Sequence, residues 1–304
     1  MLLSFRTAAA AASLICIVVA FGTFGVDWWS HWTGRTAHEA TTGVLISTNF
    51  SLFMHPSYFA MYLCFALASA ELGAQRAQFP FERWLGPLLV SGILLSASKA
   101  GWIALLLYGC FTLAINWKDA NYRRKRILQA TMAAFVLGIL SVASPFFREK
   151  IDQFGNVLKG APVDVSAQGS TESRELIWGA AVPLIREHMP WGTGTGDVKD
   201  ALVQRYTELG YTHVAEMRLN AHSQLLQTPL TLGLAGAVLL FCLLLVPGIG
   251  ALQRKDHLMF YFLLLLTLNW GTESMLETQA GVLFLSWGSL MLAMRSSPAE
   301  GTRI

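Results

Sequence analysis

The chain has 304 residues, of which 54% are hydrophobic and only 13% are charged, and its mean hydropathy is +0.47. About a quarter of the residues in a soluble domain are charged, so this composition excludes an ordinary soluble protein and predicts a membrane protein with several spans. The net charge of +3 is too small and too dispersed for a nucleic-acid-binding surface, so no nucleic-acid partner is predicted.

Eight apolar runs predict an all-α fold: a polytopic transmembrane helix bundle of about eight spans. A hydrocarbon core of about 30 Å needs roughly 20 apolar residues of helix, and the third, fourth and seventh runs are shorter than that. The first run is not followed closely by a signal-peptide cleavage site, so we interpret it as a retained span. The runs are 6–24, 53–72, 84–98, 100–117, 127–147, 223–245, 257–270 and 279–294.

Basic residues predict the orientation of these spans, because Lys and Arg collect on the cytoplasmic side of short loops. With both termini cytoplasmic, residues 1–147 hold five spans, 148–222 form one large helical loop in the periplasm, and 223–304 hold three spans and a short cytoplasmic tail. The basic residues that agree with this orientation are Arg6, Arg76, Arg83, the cluster 123–126, Arg254, Lys255 and Arg295.

The outer loop contains a predicted amphipathic helix that starts at 170–173 and ends before Pro190. Arg174 is predicted in its first turn, where a guanidinium beside unpaired helix N–H groups is suited to hold a diphosphate. The alternative, which the residues alone favour, is an interfacial Arg paired with Glu172 or Glu175. The apolar stripe of this helix consists of Leu176, Ile177, Ala180, Ala181, Leu184 and Ile185.

A glycine-rich run, WGTGTGD at 191–197, follows this helix. No apolar strand precedes the run and the Lys-Ser/Thr of a phosphate-binding loop is missing, so a nucleotide site is not predicted. The run instead predicts a tight turn into a helix that Asp197 and Asp200 cap and Gly210 closes.

His222 is the other candidate for chemistry in this loop. Asn220 is the predicted N-cap of the sixth span, which places His222 in the first helical turn and Arg218 just before the cap. The positive end of a helix disfavours imidazolium, so a neutral imidazole there is suited to take a proton from a sugar hydroxyl. An interfacial His that makes a hydrogen bond is an equally supported alternative.

No metal or cofactor is predicted, because carboxylates with metal-like spacing are absent and the cysteines all fall in apolar runs. We therefore expect a packing role for the cysteines, which are Cys16, Cys64, Cys110 and Cys242.

Four ordered motifs resemble the O-antigen ligase/O-antigen polymerase superfamily, in which an Arg-containing helix, an hP-x-G-x-G turn and an H-N/S-x-x-L motif follow one another in a large periplasmic loop. Two earlier runs, HPSY at 55–58 and SKAG at 98–101, also resemble that family, with Lys99 where the family usually has Arg. Relatives have more spans before this hairpin, which suggests an N-terminally short member. The four motifs are SRELIW at 173–178, EHMPWGTGTG at 187–196, NAHSQLLQ at 220–227 and GLAG at 233–236.

The resemblance implies a GT-C-like glycosyltransferase of the bacterial inner membrane, active on the periplasmic side without a metal. It implies that His222 is the catalytic base or positions the acceptor, and that Arg174 and Lys99 hold the donor's diphosphate. An ammonium cannot bind two phosphate oxygens in a planar fork, so we expect Lys99 to give a different affinity for the donor from the Arg that the family usually has. Weaker candidates are Arg218 as a further cation, and His55, Glu273 and Glu277.

The predicted reaction moves a glycan from undecaprenyl diphosphate to an acceptor hydroxyl, in the manner of an O-antigen ligase with lipid A core as acceptor. A polymerase that extends a second lipid-linked glycan is the alternative within the superfamily. A transporter of lipid-linked sugars is the alternative from another class, but no internal repeat supports it. The expected partners are the lipid-linked donor, the glycan acceptor and membrane lipid.

Overall fold

The computed structural model describes residues 1–32, 50–73, 82–143, 165 and 170–296, with side chains left out at 23–32, 82, 83, 132–137, 139–143, 170 and 296. Regular structure in these ranges consists of eleven α-helices and one 3₁₀ turn, Met275–Glu277. The helices are α1 Leu2–Trp32, α2 Pro56–Leu72, α3 Glu82–Leu95, α4 Lys99–Ile115, α5 Ala120–Ala143, α6 Ser170–His188, α7 Val198–Glu208, α8 Thr212–Glu216, α9 Gln224–Arg254, α10 His257–Thr272 and α11 Gln279–Ser296.

The predicted all-α class is confirmed, and a helix occupies the position of every predicted apolar run. In the described part of the chain, two helical segments, Leu2–Gly22 and Gln224–Arg254, are long and apolar enough to cross a membrane. Shorter apolar helices lie at Trp84–Leu95, Lys99–Ile115 and His257–Thr272. The count of eight spans and their orientation stay predictions.

Several predicted features lie outside the described residues. They are residues 148–164 and 166–169 of the predicted outer loop, residues 144–147 at the end of the fifth predicted span, Arg76, and residues 297–304 of the predicted cytoplasmic tail.

The chain divides into two compact units, one formed by Met1–Ile151 with Trp287–Ile304 and the other by Asp152–Ser286. In the first unit, α2 is the central helix, and thirteen of its 17 residues are buried against α1, α3 and α4. α4 approaches α2 closely at Gly101, where an added Cβ would lie 2.4 Å from the Cβ of Ala60. The small side chains at this crossing therefore set the spacing of the two helices.

Two polar clusters lie at the end of the first unit where α2 terminates. Arg6, one of the basic residues predicted on the cytoplasmic side, belongs to α1, is buried and donates from Nε to Ser69 Oγ over 3.2 Å. Glu71 forms an ion pair with Arg126, whose guanidinium lies 5.3 Å from the ring centroid of Tyr108. Burial of Arg6 is possible because the backbone and side chain of Ser69 accept its N–H groups.

The second unit contains a small helical core built by α6, α7 and α8. Five of the six residues in the apolar stripe predicted for α6 are buried and Ile185 is partly buried against this core. The helix has the predicted bounds, with Met189 and Pro190 beyond its end. Tyr206 of α7 is fully buried, and burial raises the pKa of its phenol. Other buried members are Ile177, Ala180, Ala181, Leu184, Val198, Leu202, Val214, Ala221 and Leu230.

The turn after α6 and the helix α9 interlock through their backbones. Gly233 leaves the helical conformation with φ of 62° and ψ of −148°. The N–H of Leu234 therefore bonds the Pro190 carbonyl over 2.8 Å, and the Leu230 carbonyl accepts the N–H of Thr193 over 2.8 Å. The break leaves these backbone groups paired with the turn instead of with the helix. The predicted tight turn is confirmed.

The prediction for α7 is right in position and wrong in its cap. Asp197 occupies the N-cap position, but its side chain makes no capping hydrogen bond. Its backbone has φ of −100° and ψ of −13°, in the helical region instead of the extended region in which a cap side chain reaches the first N–H groups. Gly210 follows the helix with φ of 70°, as predicted for a closing glycine.

Candidate functional site

Arg174 is the fifth residue of α6, so it lies in the second turn and not in the first turn as the sequence suggests. Its Nε donates to the Thr272 carbonyl over 3.1 Å, and its Nη2 donates to Glu273 Oε1 over 2.7 Å. The neighbouring acids Glu172 and Glu175 are not these partners. The partner lies 99 positions away, at the end of α10, where no helical spacing rule could identify it.

Glu273 stands between the two residues predicted to carry the chemistry. One carboxylate oxygen binds Arg174, and the other, Oε2, lies 3.8 Å from His222 Nδ1. The side chain of Glu273 is 9% exposed, whereas that of His222 is 31% exposed. A distance of 3.8 Å is too long for a hydrogen bond, so the imidazole lies beside the carboxylate without bonding to it in this conformation.

His222 precedes α9, which begins at Gln224 with Ser223 as its N-cap. The prediction that Asn220 caps this helix and that His222 lies in its first turn is therefore wrong. Asn220 Oδ1 accepts the N–H of His222 over 3.1 Å, which makes an Asx turn within the loop instead of a helix cap. His222 has φ of 43°, in the left-handed region that costs a residue with a Cβ about 1–2 kcal/mol.

Glu277 holds the backbone around His222 in place. Its two oxygens accept the amide groups of Asn220 over 2.7 Å and of Gln227 over 2.5 Å. Gln227 in turn accepts the N–H of Ala221 over 3.0 Å. The carboxylate is thus bound by carboxamides on both sides of the strained residue.

Ser223 and Gln224 tie the same loop to the end of α10. The Ser223 hydroxyl donates to the Trp270 carbonyl over 3.1 Å, and the N–H of Gln224 donates to the Glu273 carbonyl over 3.0 Å. The Gln224 side-chain oxygen accepts the N–H of Leu276 over 2.7 Å. The segment 269–277 and the start of α9 therefore form one bonded framework.

Sequence reasoning missed Gln224 and Gln227 as parts of this framework. A signal was present: polar residues recur at spacings of three and four in the first turns of a helix that is otherwise apolar. This stripe consists of Gln224, Gln227, Thr228 and Thr231. All four side chains take part in hydrogen bonds.

The other predicted site residues lie elsewhere. Arg218 pairs with Asp200 over 2.5 Å, with both side chains exposed. In the first unit, Lys99 is the first residue of α4, half-buried, after the N-cap Ser98, whose Oγ accepts the Gly101 N–H over 3.1 Å. His55 is the N-cap of α2, and its Nδ1 accepts the Ser57 N–H over 3.4 Å. This contact gives His55 a structural role, and its role in substrate binding stays a prediction.

In the part of the chain that the structure describes, no three His, Cys, Asp or Glu side chains lie together in a group that could hold a metal ion. The packing role expected for the cysteines applies to Cys16 and Cys64, which are buried. It is wrong for Cys110 and Cys242, whose side chains are exposed, because each lies on the outward face of a helix that contacts its neighbours along another face.

Arg174 of α6, Glu273 at the end of α10 and His222 just before α9 thus bring a cation, an acid and an imidazole together. The model of the O-antigen ligase family matches residues 86–241, just over half of the chain. The chain belongs to the O-antigen ligase family. The resemblance drawn from the four motifs is confirmed. A comparison with curated proteins found no match.

Members of the family are integral proteins of the inner membrane with activity of the glycosyltransferase type. The matched residues include Lys99, Arg174 and His222. Glu273 and Glu277, which bind Arg174 and the His222 loop, lie beyond the matched segment. The carboxylates of this site thus come from a part of the chain that the family match does not cover.

Proposed function

We propose that the protein transfers a glycan from undecaprenyl diphosphate to an acceptor hydroxyl on the outer side of the inner membrane, as an O-antigen ligase with lipid A core as the acceptor. The observation that carries the proposal is the single carboxylate of Glu273, which binds Arg174 over 2.7 Å and lies 3.8 Å from His222. A phosphate-binding cation and a proton acceptor are thereby held side by side, as transfer from a diphosphate requires.

His222 accepts the proton of the attacking hydroxyl in this mechanism. A carboxylate beside Nδ1 favours the tautomer with the proton on that nitrogen, which leaves Nε2 to act as the base. In this mechanism the imidazole and the carboxylate, which are 3.8 Å apart in the structure, close to a hydrogen bond when the acceptor is bound. Glu273 is therefore a positioning residue, and His222 contacts the acceptor.

Arg174 stabilises the leaving group. The acceptor oxygen forms a bond to the anomeric carbon as the bond from that carbon to the diphosphate breaks, with inversion. The electron pair leaves with undecaprenyl diphosphate, and negative charge grows on its terminal phosphate. A guanidinium fixed by Thr272 and Glu273 faces this charge without reorganising, which lowers the barrier more than it strengthens donor binding.

Lys99 supplies a second cation for the diphosphate in this proposal. It follows Ser98 at the start of α4. The N-terminal end of a helix favours anions, so an ammonium at this position does not stabilise the helix itself. Arg218 is a weaker candidate, because its pair with Asp200 is exposed on both sides and is screened by water. No metal is invoked, since the cations of the chain match the charge that develops.

We further propose that the eight apolar helices cross the membrane with both termini in the cytoplasm. Two observations support this orientation. In the first unit, Arg6 and Arg126 lie near the C-terminal end of α2, whereas Lys99 lies near its N-terminal end. In the second unit, Arg254 ends α9 at the pole opposite the His222 loop. In each unit, these orientation-setting arginines therefore lie at the end opposite the candidate site residues.

The test is glycan transfer from undecaprenyl diphosphate to purified lipid A core by the full chain in vesicles containing EDTA. We expect Arg174→Ala to slow transfer by about 10²–10³-fold and His222→Ala by about 10²–10⁴-fold. Matched controls are Arg186→Ala, at the exposed end of the same helix, and His213→Ala in α8, which keep full activity.

Three outcomes would overturn parts of the proposal. Transfer only to a second lipid-linked glycan makes the protein a polymerase with the same site. Transfer that stops in EDTA contradicts the metal-free mechanism. Movement of the lipid-linked glycan across the bilayer without transfer, by a wild-type chain that is folded, rejects the enzyme and supports a transporter.

A further inference from the structure

Trp191 is the most exposed of the large hydrophobic residues described, at 85% of its surface. It lies in the turn between α6 and α7, whose backbone is hydrogen-bonded to α9. Its neighbour Met189 is exposed as well. Exposed apolar side chains that lie together, unlike single ones, mark a surface that a partner or a membrane covers.

The turn meets α9 at the point where the character of that helix changes. Leu232 and Leu234 flank the break at Gly233, and both are about half exposed. The Leu234 N–H bonds the Pro190 carbonyl over 2.8 Å, so these leucines lie at the same level as the tryptophan turn. Before the break, the polar stripe of α9 is bonded within the protein.

Beyond the break, α9 carries a continuous exposed apolar surface. From Leu234 to Arg254 the helix has 21 residues and no charge until its last residue. At 1.5 Å per residue this part is about 30 Å long, which matches the hydrocarbon core of a bilayer. Its exposed side chains are Leu234, Val238, Leu239, Phe241, Leu243, Leu245, Val246, Ile249 and Leu252.

We propose that Met189, Trp191, Leu232 and Leu234 form a bilayer-boundary surface, which inserts where acyl chains meet phospholipid headgroups. The surface is continuous with the apolar face of α9, and the protein belongs to a family of integral membrane proteins. Tryptophan favours this depth because its ring is apolar and its N–H reaches polar groups. The break at Gly233 thus marks the outer limit of the span.

This position also sets the depth of the candidate site, an inference that rests on the proposed function. The helical part before the break, from Gln224 to Leu232, has nine residues and is about 13 Å long. His222 lies two residues before this part, so with about 3.5 Å for each extended residue it is at most about 20 Å beyond the boundary. A diphosphate in the headgroup layer lies between the boundary and this limit.

The test is the depth of a spin label in phospholipid vesicles. The two exposed cysteines are first replaced by alanine, and the buried pair is checked to remain unlabelled. Single cysteines then replace Trp191, Gln204 on the exposed surface of α7 and Phe241 on the apolar face of α9. Collision rates of each label with oxygen and with a water-soluble nickel chelate report its depth.

We expect the ratio of oxygen to nickel collisions to be lowest at 204, highest at 241 and intermediate at 191. A label at 191 with the same ratio as at 204 rejects the surface, and one as deep as 241 moves the boundary beyond the turn. Leu232→Cys repeats the measurement if Trp191→Cys does not fold. The readout does not depend on glycan transfer, so failure of the surface and failure of the proposed enzyme are distinguished.

Discussion

Arg174 and Glu273 form an ion pair with 2.7 Å between Nη2 and Oε1, although 98 residues separate them in the chain. The pair joins the amphipathic helix of the predicted loop to the end of an apolar helix. It is mostly shielded from solvent, with side chains that are 20% and 9% exposed. Removal of one partner therefore leaves a charge in a poorly solvated place.

Glu273→Leu alone is expected to lower the free energy of unfolding by on the order of 3 kcal/mol, because it leaves Arg174 without its carboxylate. The double variant Arg174→Met with Glu273→Leu is expected to lose less than the sum of the single losses. Thermal unfolding in detergent of the wild type, the two single variants Glu273→Leu and Arg174→Met, and the double variant completes a double-mutant cycle. The cycle measures the coupling free energy between the two side chains. Additive losses would contradict a direct pair.

The backbone of His222 allows its chemistry to be separated from its conformation. Because its φ of 43° penalises a Cβ, His222→Gly is expected to be more stable than His222→Ala by about 1 kcal/mol. Both variants lack the imidazole and are expected to lose transfer to the same extent. Equal stability of the two would show that the loop adopts another conformation, and activity in His222→Gly would remove the residue from the mechanism.

Glu277 is expected to affect catalysis through the His222 loop, without touching the substrate. Glu277→Gln retains the size of the side chain but places an NH₂ group against the NH₂ group of Asn220 or of Gln227, so one hydrogen bond is lost. One lost hydrogen bond corresponds to about a tenfold fall in kcat, and the KM for the lipid-linked glycan is expected to stay nearly unchanged. A rise in KM with kcat unchanged would assign Glu277 to substrate binding instead.

Gly233 is expected to tolerate no side chain. A Cβ there would lie 2.0 Å from the Pro190 carbonyl oxygen, and φ is already 62°, so Gly233→Ala must separate the turn from α9. We expect a loss on the order of 3 kcal/mol in unfolding free energy. Gly179→Ala is the matched control: its Cβ meets nothing within 4 Å, and in mid-helix it is expected to stabilise by roughly 0.5–1 kcal/mol.

Tyr206 is expected to make stability depend on alkaline pH. Its hydroxyl is buried and has no hydrogen-bond partner among the described residues, and burial raises its pKa. The folded state therefore holds this proton more tightly than the unfolded state, so stability is full below the unfolded pKa and falls as pH rises through it. Tyr206→Phe is expected to remove this loss of stability above about pH 10. It also removes an unsatisfied hydroxyl, so we expect the free energy of unfolding at neutral pH to rise by about 1 kcal/mol. Unfolding temperatures of both proteins from neutral to alkaline pH provide the measurement, and identical pH profiles would contradict the expectation.

Local patterns predicted much of the fold. The apolar stripe of α6 and its end before Pro190, the tight turn and the closing Gly210 follow from residues only a few positions apart, whose preferences act within one helical turn or one β-turn. Local rules failed where a side chain had two possible uses. Asn220 can cap a helix or close an Asx turn, and the loop contacts with Glu277 decide between them.

The amino-acid sequence by itself determined the helical class, the apolar segments and the motifs that identify the family, because each depends on composition or on short spacing. Only the tertiary structure decided that Glu273 pairs with Arg174, that Glu277 holds the His222 loop and that Gly233 breaks α9 against the turn at Pro190. Those choices depend on contacts between segments some 40 to 100 residues apart. No local preference encodes such contacts, since they form only when the helices pack.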